Sequence, residues 1–270
     1  MWPLKPVRLL SPTRDPQGKV GRGLAGITTT NSNTRISASR LPRATETVPA
    51  RLGGSENLGL NSERLRAAMI QRLRDQGIVD ERVLAAMQMI PRHAFVDEAL
   101  ASRAYDDAAL PIGHWQTISQ PWVVARMIAA VCEQGLPARV LEVGTGCGYQ
   151  AAVMAQVFSQ VYSIERIRGL YDMAKEQMRA LRLTKVRLTF GDGMAGLPGS
   201  APFDAIVVAA AGIRIPQALL GQLSVGGILI APEGSTAQRL VRIQRLGAAA
   251  WDRQELEAVR FVPLKAGVQG

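Results

Sequence analysis

Val140-Leu141-Glu142-Val143-Gly144-Thr145-Gly146-Cys147-Gly148-Tyr149 is the stretch that decides the fold. Apolar residues and one acid run into three alternate glycines, and a helical pattern begins at Tyr149. A strand feeding a glycine turn feeding a helix lets backbone approach a ligand where a Cβ would block it, with helix N–H groups close by. The spacing is G-x-G-x-G, and Tyr149 stands where a dinucleotide fingerprint has its third glycine, which weakens a pyrophosphate-binding reading. Taken alone, the turn serves either a ligand or the plain structural need of a strand-to-helix junction.

Downstream of the turn, strands and helices alternate. Strands are expected at 139–143, 161–164, 186–190, 203–209 and 227–231, and helices at about 149–158, 168–181 and 216–223. Runs such as FDAIVVAAA and GGILIAP are nearly uninterrupted apolar stretches, as strands covered on both faces should be. The class implied is α/β, a mostly parallel, doubly wound sheet with helices on both sides. RLVRIQRL and LEAVRFVPL lack an intervening helix and are expected to close the sheet as a C-terminal antiparallel pair.

Upstream, a helix is expected from a cap at Asn61 or Ser62 to a stop at Gly77, and a second from about Asp80 to Pro91. The segment AYDDAALPIGHWQTISQPWVVARM is rich in loop signals until helix resumes at Pro121. A loop of that length inside a compact domain, carrying Trp115, Ile118 and Trp122, reads as functional.

Residues 1–58 show neither helical nor strand periodicity and are read as a disordered basic extension, with the domain proper at 59–270. Net charge is +10, of which the first 58 residues hold +6, from nine Lys/Arg against three Asp/Glu. The basicity therefore belongs largely to the extension, and no specific nucleic-acid partner is expected. No apolar run approaches the roughly 18–20 residues of a membrane span. Two cysteines, Cys132 and Cys147, without Cys/His ligand spacing, argue for a reducing, cytoplasmic compartment and against a metal site.

In such a sheet the ligand lies beyond the carboxyl ends of the central strands. Glu142 lies in the first strand, Glu165 closes the second and Asp192 the third. Each acid either caps the following turn or accepts from a ligand. Glu165 lies 21 residues beyond Gly144, near the spacing of an acid that accepts from ribose hydroxyls, and Asp192 is placed to accept from an adenine amine. A broken pyrophosphate fingerprint with both acceptors retained points to an adenosine cofactor without phosphates, S-adenosylmethionine.

VLEVGTGCGYQAAVMA, VYSIER, GDGMAGLP, APFDAIVVAAA, IPQALLGQL, GGILIAPEG and VRFVPL, with the upstream MIPRHAFV, AYDDAALPIG and QTISQPWVVARM, together resemble the bacterial protein-L-isoaspartate O-methyltransferases. The match spans residues 61–265, and QTISQP is its most specific part. The resemblance implies a Rossmann-like class I S-adenosylmethionine-dependent methyltransferase fold, and methylation of the α-carboxyl of L-isoaspartyl residues in damaged proteins and peptides as the first step of repair through a succinimide. It implies cofactor contacts at Glu142, Gly144, Thr145, Gly146, Gly148, Glu165, Arg166, Asp192 and Gly193, and acceptor contacts at Thr117, Ile118 and Ser119, with Ser119 orienting the reacting carboxylate. A monomer is expected.

Three positions depart from the family's pattern. Trp115 stands where glycine is common, Ala209 where a threonine is frequent, and Glu233 in place of the valine of P-V-G. They bear on substrate range and leave open a methyltransferase of the same fold acting on another carboxylate or a small molecule. A third reading is a non-catalytic cofactor-fold protein that binds through its basic extension. Base-labile ester formed only on an isoaspartyl peptide separates the first reading from both others. His93 and His114 read as structural, because an ionised carboxylate nucleophile needs no general base.

Overall fold

The structure, a computed structural model, describes residues 55–270. In chain order its elements begin with α1 (Ser55–Asp75), α2 (Glu81–Met89) and a hairpin of β1 (Leu110–Pro111) and β2 (Thr117–Ile118). Next come α3 (Pro121–Cys132), β3 (Arg139–Val143), α4 (Tyr149–Val157), β4 (Gln160–Glu165), α5 (Arg168–Ala180) and β5 (Val186–Phe190). The chain continues through β6 (Phe203–Val208), α6 (Gln217–Gly221), β7 (Leu223–Glu233), β8 (Gln238–Arg245) and β9 (Trp251–Val259).

Seven strands form one sheet in the order β5-β4-β3-β6-β7-β8-β9. β3 pairs in parallel with both β4 and β6, so the strand order reverses at β3, directly below the glycine turn. β7 continues the parallel set, and β8 and β9 follow antiparallel, as the sequence implies. Alternation along the buried strands sorts their side chains. Val140, Val161, Ala205 and Val207 join the core under α1 to α5, whereas Leu141, Val143, Tyr162 and Ile164 join that under α6. The second face is therefore covered by one five-residue helix and the loops around Leu197 and Leu264, a thinner layer than the doubly wound expectation.

Four boundaries differ from expectation, and one of them is β7, which runs from Leu223 to Glu233 where 227–231 was expected. α1 begins at Ser55, upstream of the expected cap, so the last four residues of the expected extension are helical; residues 1–54 lie outside the described residues. The AYDDAALPIGHWQTIS segment contains the β1–β2 hairpin, pairing Leu110 with Ile118 and Pro111 with Thr117. The last strand is Trp251–Val259, and the Phe-Val-Pro-Leu that follows leaves the ladder to lie against the end of β6, where Pro263 pairs with Ala211.

α2 is capped as its sequence implies, Asp80 accepting from the Arg82 and Val83 N–H groups. α3 is capped from outside. Gln120 holds the cap position without a side-chain bond to the helix N–H groups, and Asp107 accepts from the Trp122 N–H at 3.3 Å and from the Gln120 side-chain amide at 3.0 Å. Arg92, wholly buried, donates to the carbonyls of Ala104 (2.7 Å) and Ala108 (3.4 Å) and so fixes the loop that delivers Asp107.

Candidate active site

The carboxyl ends of β3, β4 and β6 open into a cleft of about 850 Å³, its mouth included. Its floor is the turn after β3. The Gly144 N–H donates to the Ile164 carbonyl at 2.9 Å, which ties the turn to the neighbouring strand. Gly148 caps α4 at φ +92°, a backbone region that favours glycine, and a Cβ there would press on the flexible Met178 Cε at 2.9 Å and on Ala174 Cβ at 3.3 Å.

Glu165 is 4% exposed and held by two backbone donors, the Gly146 N–H to Oε2 and the Ile167 N–H to Oε1, each at 2.9 Å. A carboxylate so fixed keeps spare lone pairs on both oxygens, aimed along the cleft wall where paired hydroxyls would donate. Val143, Ile164, Ile167 and Leu170 supply apolar walls beside it.

The hairpin and the link into α3 bring Gln116, Thr117, Ile118 and Ser119 to the same cleft. A second cavity of about 360 Å³ adjoins it, and Thr117, Ser119, Ala209 and Val262 line both. Ala109, Gln120, Val123, Arg260 and Phe261 complete the second cavity. The Ser119 hydroxyl has no protein partner among the described residues, since Asp107 does the capping that a serine before Gln-Pro would otherwise do. The Arg260 guanidinium is likewise unpaired among the described residues and gives this cavity a positive wall.

Of the expected residues, Thr117, Ile118, Ser119, Gly144, Thr145, Gly146, Glu165, Arg166 and Gly193 come together around the cleft. Gly148 acts from behind, as the cap of α4. Glu142 is not on the wall. It is fully buried; its Oε2 accepts from Ser163 Oγ at 2.5 Å, and Ser163 Oγ lies 2.5 Å from Thr145 Oγ1. Burial pushes the Glu142 carboxyl up to about 8, and its Oε1 has no partner although the Gln150 side chain lies beside it.

Asp192 is also off the wall, its oxygens accepting at 2.8 Å from the Met194 and Gly267 N–H groups. Both Asp192 oxygens keep spare lone pairs beyond the two N–H groups they accept from. Arg166 lines the cleft, but its guanidinium bonds the Gly267 carbonyl at 3.0 Å. Among the departures, Ala209 lines the cleft, and Glu233 lies away from it, paired with Arg253 at 2.7 Å. His93 bonds the Tyr105 hydroxyl at 2.7 Å, a structural contact.

Two features escaped sequence reasoning. The Gln150 amide lines the cleft with both its polar atoms unpartnered. The closing segment Val262 to Lys265 roofs the cleft, pinned by the Leu264 N–H on the Ala211 carbonyl at 2.8 Å. Its VPL was visible as a motif, but nothing local ties it to a turn more than a hundred residues earlier.

Among the described residues no His/Cys/Asp/Glu cluster could hold a metal, and no helix is long and apolar enough to cross a membrane. The family model described as protein-L-isoaspartate(D-aspartate) O-methyltransferase matches residues 63–269. The protein-L-isoaspartate O-methyltransferase of Bordetella parapertussis is 74% identical over 250 residues, spanning 92% of this chain and 96% of that protein. The one from Bordetella avium is 70% identical over 259 residues, spanning 95% and 97%. A solved protein-L-isoaspartate O-methyltransferase superposes with a TM-score of 0.68 at 28% identity, over 75% of this chain and 67% of that one. A Plasmodium falciparum structure described as a protein-L-isoaspartate O-methyltransferase in complex with S-adenosyl-L-homocysteine gives 0.63 at 25% identity, over 74% and 98%.

Proposed function

This chain belongs to the protein-L-isoaspartate(D-aspartate) O-methyltransferase family, and from that premise we propose how its own residues carry out the reaction. The activity is methyl transfer from S-adenosylmethionine to the α-carboxylate of L-isoaspartyl residues in proteins and peptides. The ester then closes to a succinimide as the neighbouring amide nitrogen displaces methanol, and the ring reopens partly to normal aspartate.

The cleft suits the methyl donor's chemistry. Glu165 is placed for the ribose hydroxyls, the apolar walls for a purine, and the unpartnered Gln150 amide, backed by the orphaned Glu142 Oε1, for the polar amino-acid end. Gly144, Thr145 and Gly146 admit the ligand closely, Gly148 sets the helix behind them, and Gly193 leaves the adenine side open. On this reading Glu142 and Asp192 act through the walls they support, and Arg166 through the segment it fastens.

When bound, the donor supplies an electrophilic sulfonium methyl. The acceptor carboxylate is already ionised at neutral pH, so the chain's task is to hold its oxygen in line with that methyl and to exclude water. Ser119 donates a hydrogen bond to the other carboxylate oxygen, Thr117 and Ile118 bound its approach, and Arg260 draws the anion into the second cavity. The supporting observation is the unpartnered Ser119 hydroxyl at the junction of the two cavities. Losing one hydrogen bond to a charged group is worth roughly 1.5–3 kcal/mol, so Ser119→Ala should lower kcat/KM about 10- to 150-fold. Cofactor affinity, measured by calorimetry, should stay near wild type; unchanged turnover removes Ser119 from the mechanism.

The domain on this reading runs from 59 to 270, supported by the family match from residue 63. A cytoplasmic location is supported by two buried, unpaired thiols, Cys132 and Cys147. Residues 59–270 carry only +4 of the net charge, which supports the absence of a specific nucleic-acid partner.

A further inference from the structure

Trp115 sits at the tip of the β1–β2 hairpin with 99% of its surface exposed. Its φ is +58° and that of His114 is +51°, a backbone region that glycine adopts freely and L side chains adopt at a cost. A large indole in a strained conformation, packed into neither core cluster, does nothing for folding.

The tip is nevertheless held in place. The Gln116 N–H donates to the Gly113 carbonyl at 2.8 Å and the Ile112 N–H to the Gln116 carbonyl at 3.0 Å. The His114 ring lies on Gly169, in the first turn of α5, so closely that a Cβ on Gly169 would meet Nε2 at 2.5 Å. His114 thus anchors the tip on one side of the cleft, and Gln116 to Ser119 begin the cleft wall immediately after Trp115.

We propose that Trp115 is a specificity-determining residue for the acceptor, packing its indole against the side chain next to the isoaspartyl residue and favouring an apolar or aromatic one. The proposal rests on the reading of Thr117 to Ser119 as the acceptor side. An indole also attracts cations, but Arg166 and Lys265 line the cleft and Arg260 the cavity beside it, so a cationic neighbour meets like charge. An apolar neighbour meets no such opposition. Covering part of an indole and one apolar side chain is worth about a tenfold gain in affinity.

The test uses the full chain and one peptide length with a central L-isoaspartyl residue, flanked on either side by Gly, Leu, Phe or Lys. Wild type should show a KM about tenfold lower for Leu or Phe than for Gly on at least one side, with no such gain for Lys. Trp115→Gly should lose that preference while keeping cofactor affinity and a melting temperature no lower than wild type; Trp115→Phe should keep most of it. Absence of a preference in wild type, an unchanged preference in Trp115→Gly, or a loss spread equally over all flanks overturns the proposal. Failure of wild type to methylate any of the peptides would instead count against the acceptor reading beneath it.

Discussion

Glu142 shows how one residue can serve a binding site without touching what binds there. Its oxygen fixes Ser163, Ser163 fixes Thr145, and Thr145 lies in the glycine turn. The arrangement has a pH signature. An unfolded glutamate ionises near 4.5, whereas burial first, and then the charge of Glu165, pushes the folded group up to about 8, against the Ser163 and Gln150 dipoles. Between those values the native state holds a proton that the unfolded state has lost, so stability falls as pH rises through the window and levels off above it. At about 1.4 kcal/mol per unit, the effect amounts to a few kcal/mol. Urea unfolding of Glu142→Gln between pH 5 and 8 should show this slope removed and the variant gaining on wild type toward pH 8; a parallel pH dependence in both proteins would contradict the assignment.

Among the elements, the closing segment matters most to the site and was the least legible in sequence. Beyond the cleft-lining Val262 to Lys265, the Gly267 N–H bonds Asp192, the Gln269 N–H bonds the Arg166 carbonyl at 2.8 Å, and the Arg168 N–H bonds the Gln269 carbonyl at 2.9 Å. Residues 266–270 are all exposed, so they fasten the roof and add little to the core. Deleting them should weaken cofactor binding by roughly tenfold, the equivalent of one or two net hydrogen bonds, and shift the melting temperature by no more than a few degrees. Unchanged cofactor affinity in calorimetry would show that the roof holds without its fastening. Strands β3 and β5 were readable to the residue because apolar runs end at glycines or charges. The start of β9 was not, since an edge strand with polar residues on both faces has no period. The two-residue strands of the hairpin are too short to show one. Spacing alone cannot say which of two hydrogen-bonding roles a strand-end acid such as Asp192 takes.

At the scale of the whole molecule, the sheet's two faces are unequally dressed, among the described residues five helices on one and a single short one on the other, and the strand order reverses at β3. That reversal places Glu165 on one side of the cleft and Ala209 with the closing segment on the other, while the hairpin lays Ser119 across the gap. The geometry asks for an adenosine-type donor in the larger space and a carboxylate in the smaller, and neither role needs a base or a metal ligand among the residues brought together. The most direct test offers the full chain two peptides that differ only in the aspartyl linkage, with S-adenosylmethionine labelled in its methyl group. Base-labile methyl ester on the isoaspartyl peptide and none on the aspartyl peptide is the expected result; ester on neither, or equal ester on both, would contradict the account.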